Sequence, residues 1–78
     1  MLRTEVDKKA DAVYVYFSDE KVAYTKKLDD MRYIDYASDD TPVGVELLSA
    51  SDGVITDDLP NRAEIEQALA DEGIKLYA

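Results

Sequence analysis

Five side chains in this sequence are placed to act together: Tyr14, Tyr16, Tyr33, Asp35 and Glu46. Tyr14 and Tyr16 alternate with Val13, Val15 and Phe17, Tyr33 and Asp35 flank Ile34, and Glu46 lies between Val45 and Leu47. On paired strands that alternation turns the five away from the apolar side and onto the opposite face. Two chemistries fit such a group. One is a small polar and aromatic site, in which Tyr14, Asp35 and Glu46 bind a small ligand or take part in catalysis. The other is structural, a tyrosine hydroxyl donating to a carboxylate across a half-covered sheet, which is how half-buried tyrosines are normally satisfied.

Other familiar chemistries lack their parts. The chain has no His and no Cys, so Ser18, Ser38, Ser49 and Ser51 have no imidazole to activate them, and neither a thiol nucleophile nor a Cys-based zinc site can form. Gly44, Gly53 and Gly73 are isolated, with no phosphate-cradling loop. The acid pairs Asp29-Asp30, Asp39-Asp40 and Asp57-Asp58 lack the alternating oxygen ligands of a calcium loop. They read as turn and solubility features. The sequence therefore predicts no enzyme, no cofactor and no metal site.

The elements that must carry these residues follow from periodicity. Leu2–Val6 has a period of two and predicts a short edge strand, followed by a polar connector in which Asp7 accepts from backbone amides. Ala12–Phe17 is apolar on both faces and predicts a strand needing cover on both sides. A third strand is expected from Lys21 or Val22 to Leu28, a fourth over Arg32–Tyr36 and a fifth over Val43–Leu48. The turns between them are too short for parallel crossovers, so the fold class is α+β, an antiparallel β-meander of about five strands. Asn61 is expected to cap a single C-terminal helix, with Glu64 completing a capping box, Ile65, Ala68 and Leu69 forming its apolar stripe, and Gly73 ending it. Val13, Val15, Phe17, Ile34, Val43, Val45 and Leu47 line the face that helix covers. Ile74–Tyr77 alternates as a last short strand or an extended tail. The 78 residues form one domain, with strands in 1–51 and a helix-containing segment in 52–78.

Asp7, Ala10–Val15 with Phe17-Ser18, Val22-Ala23, Thr25, Ile34–Tyr36 and Val43–Leu48 form a spaced series that resembles the domain of unknown function 2283 family of small prokaryotic proteins. Lys8-Lys9 departs from it, since the family typically has Pro-Glu in that first turn. The resemblance implies a small β-rich protein with no assigned activity. Relatives encoded beside small toxin-like proteins make an antitoxin-like role the further implication.

Composition sets the remaining expectations. Eighteen acidic residues oppose nine basic ones, for a net charge of -9, so a phosphate backbone meets repulsion and nucleic acid is not an expected partner. The same field attracts a basic protein. No stretch approaches the ~18 apolar residues of a membrane span and no signal-peptide run opens the chain, so the expectation is a cytoplasmic protein without membrane contact. A chain this short buries only roughly 60–65% of its unfolded surface. With one helix to cover two sheet faces, a homodimer is expected, packed through the face with Tyr14, Tyr16 and Tyr33 or through a sheet edge. The chain then reads as a protein–protein interaction module.

Overall fold

A computed structural model describes residues 2–77; Met1 and Ala78 lie outside the described residues. Five strands, β1 (Arg3–Asp7), β2 (Ala12–Tyr16), β3 (Tyr24–Asp29), β4 (Arg32–Tyr36) and β5 (Pro42–Leu48), precede a 3-10 turn at Ala50–Asp52 and one helix, α1 (Arg62–Asp71). All strand pairings are antiparallel, and α1 closes one face of the sheet, as the α+β reading requires.

The order across the sheet is β1-β2-β5-β4-β3. Within the expected class this is not a sequential meander, because β2 pairs with β5 and not with β3. Strands β3, β4 and β5 are a local meander, and β2 returns beside β5, which makes β2–β5 a Greek key. The link from Tyr16 to Tyr24 must cross three strand spacings, about 14 Å. Residues 17–23 reach that far in extended form. Crossing the sheet end also explains why the third strand starts at Tyr24 and not at Lys21 or Val22: Phe17 N–H donates to the Val43 carbonyl at 2.7 Å, Ala23 N–H to that of Tyr36 at 2.8 Å, and Val22 is left exposed. Strand β1 runs one residue later than the Leu2–Val6 expected, with the Asp7 carboxylate accepting the Ala10 N–H at 3.0 Å in the turn that follows.

Val13, Val15, Ile34, Val45 and Leu47 form the sheet side of one contiguous core, with Ala50, Val54, Leu59, Ile65 and Leu69 as its cover. Phe17, Leu28, Tyr36 and Ile74 pack on its margin. Val43 is buried as expected but lies outside that contiguous cluster. Ile65 and Leu69 are fully enclosed, and each such side chain contributes about 1.5–3 kcal/mol on leaving water.

The start of α1 differs from the expected capping box. Asn61 precedes the helix with φ 51, in the left-handed region, and its side chain makes no cap hydrogen bond. A side-chain cap needs an extended backbone at that position. Asn tolerates the left-handed conformation, and here it turns the chain after Pro60. The helix end is as expected: Gly73 has φ 72, its N–H donates to the Ala70 carbonyl at 3.0 Å, and Ile74 N–H reaches back to Leu69 at 2.9 Å, a Schellman closure. The tail then pairs with Val54 through a parallel bridge at Leu76 rather than joining the sheet. Among the described residues no helix is long and apolar enough to cross a membrane.

Candidate functional site

The sheet face opposite α1 is laid out by two cross-strand rows. One runs Glu5, Tyr14, Glu46, Tyr33, Lys27 across β1, β2, β5, β4 and β3; the next runs Arg3, Tyr16, Gly44, Asp35, Thr25. All five residues singled out by their alternation therefore stand on this face. Glu46 is directly between Tyr14 and Tyr33 and is exposed, while Tyr14, Tyr16, Tyr33 and Asp35 are half-buried.

Gly44 shapes the centre. A Cβ there would lie 2.5 Å from Tyr14 Cε1 and 2.7 Å from its hydroxyl, so the tyrosine ring lies across the glycine backbone. That path carries the Tyr14 hydroxyl from β2 over β5 to Asp35 on β4, where it donates to Oδ2 at 2.5 Å. Thr25 on β3 donates to the other oxygen, Oδ1, at 2.5 Å. One carboxylate thus ties three strands. Tyr16 leans the other way, donating to Glu5 Oε1 at 2.6 Å, and the Arg3 guanidinium stands 4.1 Å above its ring. The two rings meet in a tilted contact with centroids 4.4 Å apart.

These bonds set the protonation of the face. Burial, then the hydrogen bond to Asp35, holds the Tyr14 hydroxyl well above its ordinary value of 10.0. The bond to Glu5 and loss of solvent raise Tyr16, with Arg3 opposing. Both hydroxyls stay protonated at neutral pH, committed as donors to carboxylates. Such a surface is a preorganised platform of π faces beside carboxylates, the pairing of features that accepts a guanidinium or ammonium group.

Two features were not apparent in the sequence. Arg32, whose side chain is only 11% exposed, donates to the carbonyls of Ile55 at 3.0 Å and Asp57 at 2.5 Å while holding Asp29 at 2.9 Å, and so pins the C-terminal segment to β4. Beside it an open groove of about 420 Å³ is lined by Met31, Arg32, Leu48, Val54, Ile55 and Tyr77, among others. The available signal was apolar Met31 and Ile55 standing among turn aspartates. Ser18 and Lys21 share a Ser-x-x-Lys spacing, but they sit in the non-helical crossing segment, whereas that spacing faces two side chains together on a helix. The acid pairs act as turn devices: Asp29 and Asp39 accept the N–H groups of Met31 and Thr41, Asp40 receives the Tyr24 hydroxyl at 2.6 Å, and Asp30 and Asp57 pair with Lys27 and Arg62.

A family model described as "Protein of unknown function (DUF2283)" matches residues 3–51, which contain all five strands and all five residues of the face. No curated protein and no solved structure matched the chain. With well over half of its length inside the family model, the chain belongs to the DUF2283 family.

Proposed function

We propose that this protein is a homodimeric protein–protein interaction module whose helix-free face, bearing Tyr14, Tyr16, Tyr33, Asp35 and Glu46, receives a basic protein partner. The observation that carries the reading is Arg3. Its guanidinium over the Tyr16 ring, beside the Glu5 carboxylate that the same tyrosine binds, is an internal example of the contact that Tyr14, Tyr33 and Glu46 offer to an incoming cation. A net charge of -9 favours such a partner at long range and speeds its encounter. Tyrosines locked by carboxylates also lose little conformational freedom on binding.

The charge also favours a narrower second reading, an antitoxin-like protein that neutralises a small basic companion in the cytoplasm. A ligand-binding or catalytic role for Tyr14, Asp35 and Glu46 is less well supported, because the Tyr14 hydroxyl is held protonated as a donor and is not a base.

Recovery of the tagged protein from its native host tests the partner, and light scattering at tens of micromolar tests the dimer. The expected result is a dimer that brings down a stoichiometric companion rich in Lys and Arg, lost when Tyr33→Ala and Glu46→Gln are combined. A strict monomer overturns the homodimer, and full recovery of the companion by the double variant removes this face from the contact.

A further inference from the structure

The sheet ends in two edge strands, β1 and β3, each paired on one side only among the described residues, with α1 packed near β1 on the covered face, and the two edges are built differently. Edge β3 carries Lys26-Lys27 and breaks register between Lys27 and Asp29. Adjacent lysines and a bulge are the devices that keep an edge from pairing with another chain. Edge β1 has neither. It pairs with β2 in unbroken register from Arg3↔Tyr16 to Asp7↔Ala12, contains no Lys or Pro, and leaves Val6 40% exposed.

Resting on the homodimer reading above, we propose that two copies of this chain join through β1, antiparallel about a two-fold axis at Thr4, to make one ten-stranded sheet. With both helices on one side, the axis must pass through a residue, because opposite residues of an antiparallel pair share a face. An axis at Glu5 sets Glu5 against Glu5, one at Val6 sets Glu5 against Asp7, and one at Arg3 sets Arg3 against Arg3. Of these, the axis at Thr4 alone matches each pair from Leu2 to Val6: Thr4 meets Thr4, each Arg3 meets a Glu5, and each half-buried Leu2 meets an exposed Val6. Threonine pairs, opposite charges and apolar pairs are the favourable cross-strand combinations. Arg3 and Glu5 already flank Tyr16 on the helix-free face, so the pairing makes the two tyrosine platforms contiguous across the axis.

Charge exchange and cross-linking test the register. Arg3→Glu and Glu5→Arg each place like charges opposite one another twice per dimer, and each is expected to weaken dimerisation roughly tenfold by light scattering or sedimentation. The double variant R3E/E5R restores opposite charges and is expected to recover the dimer. Because the chain has no cysteine, Thr4→Cys supplies the single thiol, directly opposite its symmetry mate, and is expected to form a disulfide-linked dimer on mild oxidation. Val6→Cys lies about 13 Å from its mate in this register and is expected not to. Circular dichroism confirms that each variant is folded. A dimer that ignores both single charge changes and does not cross-link at position 4 overturns the β1 pairing while leaving the homodimer standing. A wild-type monomer at all concentrations overturns both.

Discussion

Gly44 is the residue on which the helix-free face depends. Its missing Cβ leaves the space that the Tyr14 ring fills on its way to Asp35. A methyl group there would also stand 2.8 Å from the Val15 carbonyl of the neighbouring strand, which is backbone and cannot swing aside. Gly44→Ala is therefore expected to destabilise the protein by about 1–3 kcal/mol, read as a lower urea midpoint, and to free the Tyr14 hydroxyl. An unchanged midpoint would contradict the close packing of ring on backbone. The tyrosines also give the protein an alkaline limit. Tyr14, Tyr16 and Tyr24 are all raised above 10.0, Tyr24 to about 12 through its bond to Asp40. A raised folded value means that the stabilisation is complete below pH 10 and is lost as pH climbs through the folded values. The free energy of unfolding is expected to be level from neutral pH to about pH 10 and to fall beyond it. Identical tyrosine titrations in the native and the denaturant-unfolded protein would rule this out.

At the scale of elements, Arg32 decides how the C-terminal segment is held. Its planar fork serves a carboxylate and two carbonyls at once, a geometry that the point charge of a lysine does not reproduce. Arg32→Ala and Arg32→Lys are both expected to cost about 1–3 kcal/mol and to quicken amide exchange over residues 54–59 while β2 and β5 keep their protection. Asp11 makes a second tie: its carboxylate accepts from the Ser51 N–H at 2.9 Å and the Ser51 hydroxyl at 2.7 Å, linking the β1–β2 turn to the 3-10 turn. None of these ties has a periodic signature, so none was legible in the sequence. The strands were, because Val13, Val15, Ile34, Val45 and Leu47 recur at every second position between Tyr14, Tyr16, Tyr33, Asp35 and Glu46. The same alternation put Tyr14, Tyr16, Tyr33, Asp35 and Glu46 on one face. It could not order the strands, since a period of two tells which side a residue faces and not which strand lies beside it. The residue type of Asn61 suits both a side-chain cap and a left-handed turn, and only the path of the chain after Pro60 separates the two.

For the whole molecule, the family match and the folding unit have different limits. Residues 3–51 supply the sheet, but Val54, Leu59, Ile65 and Leu69 supply much of what shields it from water. Four such side chains, at about 1.5–3 kcal/mol each, amount to the order of a small domain's entire stability. A chain ending at Ser51 is thus expected to lose its cooperative thermal transition by circular dichroism; a sharp transition would show that the sheet stands without its cover.

The Greek-key order also separates near pairings from distant ones. The β1–β2 turn spans residues 8–11 and the β3–β4 turn residues 30–31, so these hairpins close between near neighbours. The seam between β2 and β5 joins Val15 to Val45 across the intervening β3 and β4. Closing that longer loop costs about 2 kcal/mol more chain entropy than closing either hairpin. The seam between β2 and β5, the strands with the most buried residues, is thereby the pairing that joins the most distant parts of the sheet's sequence, the kind of contact that slows folding in proteins generally.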